Sequence, residues 1–179
     1  MCYNFKTMIR EIRQILEELK NKGIKKQFFT LNEFSQILGI SPETSKKLID
    51  THTILGIKHF SPRLNKFVYS IPIWAFKRIL SEEGYKIFLE ELKKIYDQRD
   101  KNKTLFLKTI EVARFLNISV NTVIRLIKEN KLEAIEIHIP NSKKKKYLIP
   151  VWEIKRKFFK TDEDYQNFLS IWEETLKNV

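Results

Sequence analysis

The sequence has little from which to build a reactive centre. Cys2 is the only cysteine among 179 residues, so no internal disulfide and no cysteine-ligated metal site can form. The three histidines, His52, His59 and His138, have no Cys, Asp or Glu at ligand spacing, and no metal is expected. The only four glycines, Gly23, Gly39, Gly56 and Gly84, stand too far apart for a Gly-rich loop that cradles phosphate. No Ser-His-Asp set or pair of carboxylates stands out, so neither an enzyme nor a cofactor is expected. No apolar run approaches the roughly 20 residues that span a bilayer. The N-terminus is charged and amphipathic rather than signal-like. These absences predict a cytoplasmic, non-membrane protein.

Acidic residues are outnumbered, at 22 Asp and Glu against 34 Lys and Arg, which leaves a net charge of +12. A surplus of that size implies an anionic partner, nucleic acid before an acidic membrane surface. The charge is concentrated. Residues 24–80 carry +6 and residues 104–160 carry +8, whereas 1–23, 81–103 and 161–179 carry +2, 0 and −4.

Those two basic stretches are copies of one another. A shift of 78 positions lays residues 28–80 on 106–158 without a gap, and 17 of the 53 pairs are identical, among them Ser41/Ser119, Thr44/Thr122, Tyr69/Tyr147, Pro72/Pro150 and Trp74/Trp152. Chance would give about three or four. Other pairs exchange apolar residues, as in Phe34/Val112 and Ile37/Phe115, so the copies share a core pattern. A unit of this length suits a minimal globular module rather than a solenoid repeat.

Each copy opens with a short apolar strand, at Phe28-Phe29 or Leu105-Phe106-Leu107. A first helix is predicted over 31–38 or 109–116, with Phe34, Ile37 and Leu38, or Val112, Phe115 and Leu116, on one face. Gly39 and Asn117 accept the left-handed backbone that stops it. Ser41 and Ser119 are good N-caps for a second helix, and Pro42 suits its first turn. The inward positions of that helix are Ser45, Leu48 and Ile49, or Val123, Leu126 and Ile127. Two short helices on a tight turn make a helix-turn-helix. A hairpin with a polar, basic tip follows, at 61–66 or 140–146, and Pro72 or Pro150 opens a third helix. This layout is that of a winged helix.

The run Thr109-Ile110-Glu111-Val112-Ala113-Arg114-Phe115-Leu116-Asn117-Ile118-Ser119-Val120-Asn121-Thr122-Val123-Ile124-Arg125-Leu126-Ile127, closed by Tyr147-Leu148-Ile149-Pro150, resembles the excisionase-type, MerR-like winged helix-turn-helix. The first copy is similar but more divergent, with Phe34-Ser35 for Val-Ala and Ser45 for the inward valine. The resemblance implies DNA binding, and members usually carry a single such domain. The expected fold is mainly α with small β-hairpin wings, as two tandem winged helix-turn-helix domains joined and flanked by amphipathic helices.

In this fold the second helix enters the major groove and its early exposed residues reach base edges. Those residues are Glu43, Thr44, Lys46 and Lys47 in the first copy and Asn121, Thr122, Arg125 and Lys128 in the second. Arginine forks onto guanine and asparagine onto adenine. Glu43 reads as favouring the helix N-terminus rather than a base. On the wings, Arg63 and Lys66, and Lys143, Lys144, Lys145 and Lys146, are candidates for phosphate contact, which adds affinity without sequence information. Trp74 and Trp152 read as core residues, not base-stacking ones, because both copies place them one residue after the proline that begins the third helix.

Three amphipathic stretches flank the copies. Residues 1–23 hold Phe5, Met8, Ile9, Ile12, Ile15, Leu16 and Leu19; residues 81–103 hold Tyr85, Phe88, Leu89, Leu92, Ile95 and Tyr96; residues 161–179 hold Tyr165, Phe168, Leu169, Trp172 and Leu176. The near-heptad spacing of the first makes it a candidate surface for homodimerisation. The function expected is double-stranded-DNA binding, as a transcription regulator or an excisionase-like architectural factor of a mobile element. The alternatives are a plasmid or viral replication or partition protein on iterated DNA repeats, and a winged-helix scaffold for protein interactions.

Overall fold

The computed structural model describes residues 5–98, 103–138 and 145–177, with side chains from residue 10 onward except at 138, 169 and 171–177. Two units divide the chain, Met1–Lys103 and Thr104–Val179.

The first unit begins with α1 (Phe5–Asn21), stopped by Gly23 at φ +74°, where Ile24 N–H reaches back to the Leu19 carbonyl at 2.9 Å. Leu19 and Ile24, the two positions that commonly flank such a turn with apolar side chains, are both buried. Then come β1 (Phe28–Thr30), α2 (Leu31–Leu38), α3 (Pro42–Asp50), β2 (Ile57–Ser61), β3 (Lys66–Pro72), a 3-10 helix (Ile73–Arg78) and α4 (Glu82–Gln98).

Local chemistry explains the boundaries. Thr30 and Glu33 form a capping box that starts α2. Gly39 at φ +63° ends it, with Ile40 N–H donating to the Ser35 carbonyl at 3.0 Å. Ser41 Oγ accepts the Thr44 N–H at 3.2 Å and starts α3, and His52 at φ +55° follows its last turn. The core gathers Phe29, Phe34, Leu38, Leu48, Ile71, Ile73, Phe76, Phe88, Leu89 and Leu92. Each such side chain contributes about 1.5–3 kcal/mol by leaving water. Phe76 stacks on Phe88 at 4.3 Å and meets Phe29 edge-on at 6.1 Å. The apolar stripe of α4 is thus spent on its own unit.

The second unit repeats the order with β4 (Phe106–Lys108), α5 (Thr109–Phe115), α6 (Val120–Lys128), β5 (Ile135–His138), β6 (Lys145–Pro150), α7 (Val151–Phe158) and α8 (Asp162–Lys177). Its core holds Val112, Ala113, Phe115, Val123, Leu132, Tyr147, Ile149, Ile154 and Tyr165; Leu126 and Ile127 are half-buried against it. Phe168 of α8 packs on Phe115 at 4.4 Å. The side chains of Phe5, Met8 and Ile9, and of Leu169, Trp172 and Leu176, lie outside the described ones.

The 78-residue shift persists in backbone detail. Phe28 faces Pro72 and Phe106 faces Pro150 in the strand ladders. Asn117 stands at φ +51° where Gly39 stands, and Asn130 at φ +54° where His52 stands. The rings of Phe28 and Trp74 meet edge-on at 5.3 Å, those of Phe106 and Trp152 at 5.5 Å. Trp152 is buried and Trp74 half-buried. Two features go beyond the sequence reading. Each opening strand pairs with the second hairpin arm, making three-stranded antiparallel sheets in the orders β1-β3-β2 and β4-β6-β5. The third helix of the first unit is a tight six-residue 3-10 turn, whereas α7 is α-helical over eight.

Candidate nucleic-acid interface

In the second unit, α5 and α6 meet at the turn from Leu116 to Ser119. Ser119 Oγ accepts the Thr122 N–H at 3.1 Å and lies 2.9 Å from the Thr122 hydroxyl. The cap sets the rotation of α6. Val123 is fully buried, which turns Asn121, Arg125 and Lys128 onto one exposed face. Thr122, half-buried, belongs to the cap as much as to that face. Arg125 Nε is 4.0 Å from Glu129, whose carboxylate is held mainly by Lys131 at 2.7 Å. The hydrogen bond from Lys131, with its charge, holds the Glu129 carboxyl below the usual range. The guanidinium of Arg125 is therefore only loosely tethered and mostly solvent-facing.

In the first unit α3 offers Glu43, Lys46 and Lys47 to solvent, with Thr44 half-buried and 3.0 Å from the Ser41 hydroxyl. Glu43 sits in the first turn, where a negative charge suits the helix dipole. Lys46 and Lys47 have no ion-pair partner among the described residues. At the far end, Tyr69 of β3 donates from its hydroxyl to Asp50 at 3.2 Å. Burial and the Asp50 charge push the Tyr69 phenol up.

The hairpins supply the second set of cations. Arg63 and Lys66 are exposed about a turn in which Asn65 is left-handed, at φ +48°. Lys145 and Lys146 are exposed on β6, while Lys143 and Lys144 lie outside the described residues. Lys145 Nζ is 2.8 Å from Glu136 on β5, so part of its charge is answered within the hairpin. That hydrogen bond raises the Lys145 ammonium's affinity for its proton. Sequence reasoning missed this pairing, although the exchange of Lys58 for Glu136 at the matched position was its signal.

Residues 106–156 match the family model of a helix-turn-helix domain. The matched span runs from β4 into α7 and contains the α5–turn–α6 element. The match supports a helix-turn-helix of a DNA-binding class in this segment. No curated protein and no solved structure matches the chain. DNA-binding helix-turn-helix folds in general lay their second helix in the major groove. Among the described residues no helix is long and apolar enough to cross a membrane, and no group of three or more His, Cys, Asp or Glu is placed to hold a metal ion.

Proposed function

We propose that this protein binds double-stranded DNA through two tandem winged helix-turn-helix domains, as a transcription regulator or excisionase-like architectural factor. The observation that carries the reading is the helix-turn-helix match at residues 106–156, on which Asn121, Arg125 and Lys128 share an exposed helix face. Arg125 fits guanine and Asn121 fits adenine. Lys146 on the second unit's hairpin, and Arg63 and Lys66 on the first unit's, fit phosphates. Support for a second domain comes from the first unit's matching caps at Ser41 and Ser119, left-handed positions at Gly39 and Asn117, and strand register. In this reading α1 pairs with a second copy, since Ile12 and Leu16 are only half-buried in their own unit; light scattering of the full chain tests that part.

Selection of bound sequences from random duplex DNA, followed by titration at several salt concentrations, tests the whole. The expected result is an enriched sequence and an affinity that falls by orders of magnitude between about 50 and 200 mM salt. No enrichment and no salt-sensitive binding would leave the protein-interaction scaffold as the reading.

A further inference from the structure

The hairpin of the first unit carries side chains that gripping phosphate does not require. Among the described residues the two most exposed large apolar side chains are Phe67 (62 %) and Leu64 (56 %), and Ile57 and Phe60 are about half exposed on the same hairpin. In the β2–β3 ladder Lys58 faces Tyr69 and Phe60 faces Phe67. Side chains two residues apart share a face, so these four form one. Its inner end is Tyr69, buried and tied to Asp50 at the close of α3. Its outer end is an edge-on pair of Phe60 and Phe67 with ring centres 5.6 Å apart, and Lys58 Nζ stands 5.2 Å from the Phe67 ring centre. Leu64 occupies the turn between Arg63 and Lys66, where its N–H donates to the Ser61 carbonyl at 3.2 Å.

The second unit does something else at the same places. Glu136, His138 and Lys145 stand where Lys58, Phe60 and Phe67 stand, and Ser142 replaces Leu64. The diagonal that is a cation over a ring in one hairpin is an ion pair in the other. Apolar side chains clustered in water call for a partner. No acidic residue occurs between Thr51 and Trp74, while Lys58, Arg63 and Lys66 lie on the same hairpin, Lys58 over the Phe67 ring. The partner must therefore be anionic at its edges and apolar inside, as a DNA groove is, with phosphates along its rims and stacked bases within.

We propose that the first unit's hairpin enters the minor groove and drives Leu64, backed by Phe67 and Phe60, between adjacent base pairs, so that the duplex kinks. The inference rests on the duplex-binding reading above and adds to it that the two hairpins have different tasks, one a wedge and the other an electrostatic grip. Apolar wedges of this kind unstack a base step and bend the duplex by roughly 20–90°. Arg63 and Lys66 then meet the phosphates that flank the opened step.

The test uses the full chain and the duplex that selection returns, with a dye at each end for energy transfer. A second set of duplexes carries 2-aminopurine at successive pyrimidine–purine steps, which unstack most readily. The wild-type chain is expected to raise energy transfer, and to raise 2-aminopurine emission at one step. Leu64→Ser and Phe67→Ser, both at exposed positions, are expected to abolish both signals while affinity falls about tenfold or less. Lys145→Ser with Lys146→Ser is expected to lower affinity and leave the bend unchanged. A bound duplex that stays straight, a bend indifferent to Leu64 and Phe67, tighter binding to one strand than to the duplex, or a changed oligomeric state of the Ser variants would each overturn the wedge. Absence of any duplex binding by the wild-type chain would instead overturn the duplex-binding reading on which it rests.

Discussion

The hydroxyls of Ser35 and Ser45 are hydrogen-bonded at 2.7 Å inside the first unit, joining α2 to α3 through two buried side chains. Ser35 Oγ is also 2.7 Å from the Leu31 carbonyl oxygen. At the matched positions the second unit has Ala113 and a fully buried Val123, both members of its apolar core. One helix pair is thus held by a polar contact and the other by an apolar one.

A buried hydroxyl that loses its partner keeps the cost of leaving water, about 1–3 kcal/mol, while replacing both partners by apolar groups is nearly neutral. Ser35→Ala is therefore expected to destabilise the first unit by about 1–3 kcal/mol, and Ser35→Ala with Ser45→Val to recover most of that loss. Urea unfolding of the wild type and both variants measures it. A double variant weaker than the single one would mean that Val does not fit the space at position 45.

Gly56 is fitted closely against Ile49. A Cβ added there would lie 2.7 Å from Ile49 Cγ2, and Ile49 is buried. The second unit has Ala134 at the matched position, and a half-buried Ile127 where Ile49 stands. Gly56→Ala is expected to cost about 1–3 kcal/mol by overpacking, and to cost less in an Ile49→Ala background, which removes both γ carbons that the new Cβ would meet. Thermal unfolding decides it, and an unchanged midpoint would show that Ile49 has room to move.

On α6, Arg125→Ala is expected to relax base preference at one position of the selected site and to cost about 1–3 kcal/mol. Lys146→Ser should weaken all duplexes alike and reduce the salt slope by about one. Repeating the selection with each variant separates base reading from phosphate contact. An altered preferred sequence with Lys146→Ser but not with Arg125→Ala would remove α6 from its assigned role.

Glu33 links fold stability to pH. Burial alone would raise its carboxyl, but the Lys26 ammonium and the Thr30 N–H and hydroxyl outweigh that and hold it below 4.5 in the folded protein. A depressed carboxyl adds stability that is fully present above the unfolded value near 4.5 and is lost as pH falls through the lower folded value. The advantage of the wild type over Glu33→Gln should thus be largest near neutrality and vanish in stronger acid. With 40 % of that side chain exposed, it should not exceed about 1 kcal/mol. Unfolding curves from pH 7 downward check the sign.

Much of the helical part was legible because its signals are local. Gly39, Asn117, Ser41 and Ser119 punctuate α2, α3, α5 and α6 by backbone preference and capping, and the apolar spacing orients Phe34 and Val112 inward. The strands were harder. β1 and β4 have three residues each, too few for alternation to show, and their partner on β3 or β6 lies some 40 residues away, as in Phe29 with Ile71. The first hairpin's tip reads as polar and basic along the chain. Only the register collects Lys58, Phe60 and Phe67 on one face. Glu153 could not be read at all. It is buried because it accepts the Glu133 N–H at 3.1 Å and meets Arg156 at 2.7 Å, a neighbourhood made by α7 folding back near β5.

The matching strand registers bear on how the chain folds. β1 and β4 present the same ladder to β3 and β6, Phe28 to Pro72 as Phe106 to Pro150. A newly made first half has a single partner for β1, because β6 does not yet exist. A whole chain refolding from denaturant meets two, and only exchanges such as Phe29 for Leu107 and Thr30 for Lys108 tell them apart. Misassembly between like modules is the characteristic failure of repeated chains. Synthesis from one end therefore supplies an order of events that dilution from urea does not.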